Sequence, residues 1–160
     1  MQRAATCFIW DETQAKRGSD EICSCIIKWI EAHKHEGFKK LVIYADNCAG
    51  QNKNIYLILN CLRLLHKDIL QEITIEFMVP GHSYLPCDRT FGQIEQKIKK
   101  SRDINCPDDY VRVIQDAIEH GNDIIRMEQK DFIDIKSLLL KIILRTPKFL
   151  LCFRRVESSL

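Results

Sequence analysis

Three acids stand where segments far apart in sequence can converge. Glu21 lies in the first turn of a segment whose apolar residues, Ile22, Cys25, Ile26, Trp29 and Ile30, recur at helical spacing. Asp46 closes the apolar run KKLVIYA, residues 39–45. Asp88 opens an amphipathic helix just after a second apolar run, and His82 lies in the loop between them, GHSYLPCD. Carboxylates about 4 Å apart repel by roughly 4 kcal/mol per pair at an effective dielectric of 20. A protein that gathers three of them therefore places divalent cations between them. Mg²⁺ prefers such oxygen ligands, and two ions roughly 4 Å apart can clamp the attacking and leaving oxygens of a phosphodiester. Each acid also has a purely structural alternative. Glu21 and Asp88 would complement helix N-termini, and Asp46 would stop a strand.

The elements that must position these residues alternate. Ala4 to Trp10 is a short β-like run, followed by a helix capped by Ser19 or Asp20. Lys39 to Ala45 is a continuous β-branched and apolar run, as expected of a central strand covered on both faces. The loop NCAGQNKN leads into a helix over about 54–65, a strand over 73–79 and a helix over about 88–100. The order β, α, β, α, β, α implies an α/β fold with parallel strand pairs and helices on the sheet faces. Ligands of such sheets bind at the carboxyl ends of the strands, which is where Asp46 falls. Beyond Pro107 the pattern predicts a helix to about 118, a strand at 124–127, a helix over 131–143 and a last strand at 149–153. Residues 107–160 then form a small α+β C-terminal extension to a domain of residues 1–106. In the extension, Ile124, Phe132, Ile135, Leu138 and Leu139 are expected in the core.

A chain of 160 residues is long enough for one domain with a real core. A net charge of +2 announces no polycation, so contacts to nucleic acid would have to rest on local patches. Two patches qualify. Lys97, Lys99, Lys100 and Arg102 cluster at the end of the helix that begins near Asp88, and Lys53 stands with Gln51, Asn52 and Asn54 beside Asp46. Such groups suit phosphate contacts, which position a substrate without reading its sequence. Their structural alternatives are cations complementing a helix dipole and a capping loop. Eight cysteines without a C-x-x-C read as reduced, largely buried thiols of an intracellular protein. The first ten residues carry no signal-peptide core, and the apolar stretch from Leu138 to Leu144 is too short to span a bilayer. No membrane association is expected. Asp11 and Glu12 are expected to end the first strand and pair with Lys16 or Arg17.

Several of these stretches resemble the ribonuclease H-like superfamily of nucleases, integrases and transposases. KRGSDEICSCIIKWI is similar to that fold's first helix, with Glu21 at the position of its second metal-binding acid. KKLVIYADNCAGQN resembles its fourth strand, and Asp46 stands where the terminal aspartate does. VPGHSYLPCD resembles the segment in which a flexible-loop histidine precedes the last metal-binding aspartate, here His82 and Asp88. Together WDETQAKRGSDEICSC, DNCAGQNKN and GHSYLPCDRTFGQIE resemble a domain of animal genomes derived from transposable elements. The likeness covers about residues 4–105. It implies a mixed sheet with helices on both faces and two-metal cleavage of phosphodiesters with Mg²⁺ or Mn²⁺ held by Glu21, Asp46 and Asp88. It further implies that His82 shuttles a proton to the leaving group, with nucleic acid, DNA in the first place, as partner and a nuclear setting. That superfamily takes its first acid from a three-stranded meander, of which only residues 4–10 are present as a third strand. The chain is therefore expected to be N-terminally incomplete and to have little or no nuclease activity.

Rival readings remain open. Glu95, about two helical turns beyond Asp88, is an alternative last acid. A catalytically silent domain could persist as a module that binds nucleic acid or protein. Cys87 beside His82 offers the elements of a nucleophile, and Cys23 with Cys25 offers two zinc ligands, although C-x-C on a helix sends its thiols to different faces.

Overall fold

A computed structural model of the chain describes residues 6–46, 48, 51–78, 86–101, 104, 106–117 and 123–143. The order is β1 (Thr6–Ile9), α1 (Ser19–His33), β2 (Lys40–Ala45), α2 (Ile55–His66), β3 (Glu72–Phe77), α3 (Pro86–Lys100), α4 (Pro107–Ala117), β4 (Asp123–Arg126) and α5 (Ile135–Ile143). The class is mixed α/β. The described strands form two parallel pairs, β2 with β3 and β1 with β4. Parallel pairing follows from the helical crossovers between strands, which a hairpin turn cannot replace. His82 and the strand expected at 149–153 lie outside the described residues.

The core sits where α1, α2 and α5 meet one face of the β2–β3 pair. Cys23, Ile27 and Ile30 fall on one stripe of α1 at spacings of four and three, and Leu57, Cys61 and Leu64 do the same on α2. Ile135 and Leu139 of α5 close over Cys23, Leu57 and Cys61, while Leu70 seals the far end against Ile30 and Leu64. Segments beyond Pro107 thus supply both a strand to β1 and two residues to this core. The core expectation for Ile135 and Leu139 holds, and Leu138 packs against them.

β2 differs from expectation. Leu41 and Ile43 face the core, but Val42 and Tyr44 are 50% and 52% exposed. One face of β2 is open among the described residues. The reason is legible in its neighbour. β3 reads Glu-Ile-Thr-Ile-Glu-Phe, a strict alternation, and parallel register sets Val42 opposite Thr74 and Tyr44 opposite Glu76. Lys40 and Glu72 begin the same outer face with an ion pair at 2.6 Å.

Helix starts are also set by particular side chains. α1 takes Gly18 as its N-cap rather than Ser19 or Asp20, because Glu21 reaches back to accept the Gly18 N–H at 2.8 Å. A Cβ at position 18 would lie 3.1 Å from Glu21 Oε2, a tight contact with the end of a flexible side chain. α2 is capped by Asn54, whose Oδ1 accepts from the N–H groups of Tyr56 and Leu57. α3 begins at Pro86, two residues earlier than expected. Proline suits the first helical position because no N–H is needed there. α3 packs along α4, and each contributes a buried isoleucine, Ile94 and Ile114.

Candidate functional site

Asp46 follows β2 and organises the loop beyond it. Its Oδ1 accepts the Cys48 N–H at 3.0 Å and the Asn52 side-chain amide at 2.8 Å. These bonds favour the ionised form, and they hold the Asp46 carboxyl below the usual aspartate range, Asn52 contributing most. The Cys48 carbonyl accepts from the backbone N–H groups of Gln51, Asn52 and Lys53. The Asn54 amide donates to the Gln51 carbonyl at 2.8 Å. The segment 51–54 is thus a capping loop, as its structural alternative held, with Asn52 tied to Asp46. Lys53 lies over the Phe77 ring at 5.8 Å, joining this loop to the end of β3.

Glu21 approaches from the neighbouring loop. Gln51 Nε2 donates to the Arg17 carbonyl at 3.4 Å, which links the loop after β2 to the turn before α1. Glu21 accepts from Gly18 through Oε2 and from the Lys16 N–H at 3.2 Å through Oε1. Asp46 therefore stands at the carboxyl end of a parallel strand pair, in a loop tied by Gln51 to the turn that precedes α1, and Glu21 lies in the first turn of that helix. Both are engaged with their own backbone. Asp88 is half-buried in the first turn of α3, whose packing is along α4. Glu95, its rival, is exposed and lies 3.6 Å from Lys99 one turn on.

Among the described residues, no three acids, histidines or cysteines are grouped so as to hold a metal ion. Asp46 and Glu21 keep spare lone pairs, but two such donors do not make a two-metal centre. Lys97 and Lys100 are exposed at the end of α3, and among the described residues neither meets a carboxylate within ion-pair distance. Glu12 pairs with Arg17 at 3.0 Å, as expected of a strand terminator.

The thiols follow burial. Cys23 and Cys25 are both buried despite lying two apart on α1, since that helix is covered on more than one side. Burial pushes the Cys23 thiol up to about 12 and those of Cys25 and Cys61 up to about 11. Cys87 is raised by partial burial first and by the Asp88 carboxylate second. Nucleophilic thiolates elsewhere carry the opposite shift; His82, the base expected beside Cys87, lies outside the described residues.

Two arrangements carried no local signal in the sequence. The Gln51–Arg17 link joins residues 34 apart. A cleft between β1 and α4 joins Trp10 to Tyr110. No helix of the described residues is long and apolar enough to cross a membrane. The family described as Domain of unknown function (DUF7869) matches residues 1–153, and the chain belongs to it. No curated protein and no solved structure matches the chain.

Proposed function

We propose that this chain, as a member of that family, is a nucleic-acid-binding domain of the transposase and nuclease kind, with DNA as the expected partner. In this form it holds phosphodiesters rather than cutting them. The observation that carries the reading is the contrast between its charged groups. Glu21 and Asp46 are absorbed into capping and turn bonds, whereas Lys97 and Lys100 stand exposed at a helix end. Exposed cations with no carboxylate partner among the described residues, together with carboxylates already engaged elsewhere, favour binding phosphate over assembling a metal centre. The ribonuclease H-like likeness of residues 4–105 supplies the substrate class.

The alternative is cleavage by two Mg²⁺ or Mn²⁺ ions held by Glu21, Asp46 and Asp88, with His82 moving the proton. It is favoured by the position of Asp46 at the carboxyl end of a parallel strand, beside the start of α1. One experiment separates the two. Labelled single-stranded DNA is mixed with the purified chain, once in EDTA and once in excess Mg²⁺ or Mn²⁺. Retention in EDTA with intact DNA in both mixtures is the expected result. Metal-dependent cleavage lost in Asp46→Asn would establish the alternative.

A further inference from the structure

The cleft between the end of β1 and the start of α4 takes no part in the site above. It is an open cleft of about 390 Å³. Ile9, Ile104 and Val111 line it together with Trp10 and Tyr110, and Asp11 and Arg126 supply its charge. Small-molecule sites have this size and make-up, apolar walls with a few polar groups. The Trp10 indole is already fixed. Its N–H donates to the Lys16 carbonyl at 2.9 Å, and its ring meets Phe132 edge-on at 5.7 Å. With that N–H engaged, the indole offers the cleft carbon surface alone.

The charged groups keep capacity for a ligand. The Thr13 bonds to Asp11 fall on Oδ1. Arg126 meets Asp108 through one terminal nitrogen, Nη1, and a guanidinium has five N–H donors. A flat ring with donors and acceptors along its edge matches such a cleft, and an unpaired nucleobase is that chemistry. The basic end of α3 lies close by along the chain. Ile104 is four positions beyond Lys100, a reach of at most about 14 Å.

We propose that this cleft receives an unpaired nucleobase against Trp10 and Tyr110, with the adjoining phosphates held by Lys97 and Lys100. The proposal rests on the nucleic-acid reading above and names the group that is bound. Both tryptophans of the full chain are followed by fluorescence while guanosine 5′-monophosphate is titrated, and retention of single-stranded DNA is measured in parallel. Saturable quenching is expected, weakened roughly tenfold in Tyr110→Ala, as loss of one stacking partner requires. Arg126→Gln, at an exposed position, is expected to weaken it too, and circular dichroism checks that both variants are folded. Equal quenching by inorganic phosphate, or unchanged quenching in both variants, would overturn the proposal. Retention of DNA without any response to the nucleotide overturns the cleft assignment and leaves the binding reading standing. Absence of both overturns both.

Discussion

Asp46 and Asp20 are aspartates with opposite shifts, and the difference is one of partners. Asp46 is solvent-exposed but accepts two hydrogen bonds, so its folded pKa lies below the ordinary value of about 3.9. A depressed carboxyl pKa contributes stability that is present above the unfolded value and lost as pH falls through the folded one. In an NMR titration the Asp46 carboxyl is expected to have its midpoint below that of an ordinary aspartate. Asn52→Ala should move it upward, and an unmoved midpoint would deny the bond its role. Asp20 is raised, chiefly by burial, and its Oδ1 is buried with no hydrogen-bond partner. Its charged form is disfavoured by folding, a penalty relieved as pH falls through the raised value. Asp20→Asn should therefore raise the melting temperature at pH 7, and the gain should shrink in acid. A lower melting temperature at pH 7 would contradict this. The thiols give a third check at this scale. Iodoacetamide should label exposed Cys48 and Cys106 well before Cys23 or Cys61, whose pKa values are driven up by burial. Early labelling of Cys23 would contradict the packing of α1.

At the scale of elements, α2 is the helix on which most of the core converges. Leu57 is fully buried between α1 and α5, so Leu57→Ala should destabilise the fold by about 2–5 kcal/mol in urea unfolding. Asn54→Ala, which removes the cap, should cost about 1 kcal/mol. A larger loss for Asn54→Ala than for Leu57→Ala would reverse this order. The helices were legible in sequence because their apolar stripes repeat at three and four residues. The strands were legible in position but only partly in environment. Val42 and Tyr44 resemble core residues by type, and only the alternation in β3 reveals that this face is open. The cap of α1 lies one or two residues before the expected Ser19 or Asp20 because a reach-back by Glu21, not a serine or aspartate side chain, defines it.

For the whole molecule, the sequence marked the residues of the candidate site better than it marked their arrangement. The loop after Asp46 is tied to the turn before α1, whose first turn carries Glu21, through a Gln51–Arg17 bond that no periodicity could announce. Their engagement with backbone N–H groups was foreshadowed only by the structural alternatives, since a capping glutamate and a metal-binding glutamate look alike in a linear string. The Trp10–Tyr110 cleft was invisible for the same reason, its walls coming from segments a hundred residues apart. The central claim is that exposed lysines at the end of α3 hold nucleic-acid phosphates without help from a metal. It is tested most directly by the salt dependence of single-stranded DNA binding in EDTA, compared between the native chain and a Lys97→Ala, Lys100→Ala variant. Binding is expected to fall steeply with salt, and the double variant to flatten the slope of log K against log salt by about 1.4, from roughly 0.7 per phosphate contact. A slope unchanged by the two substitutions, or binding that vanishes on chelation, would contradict it.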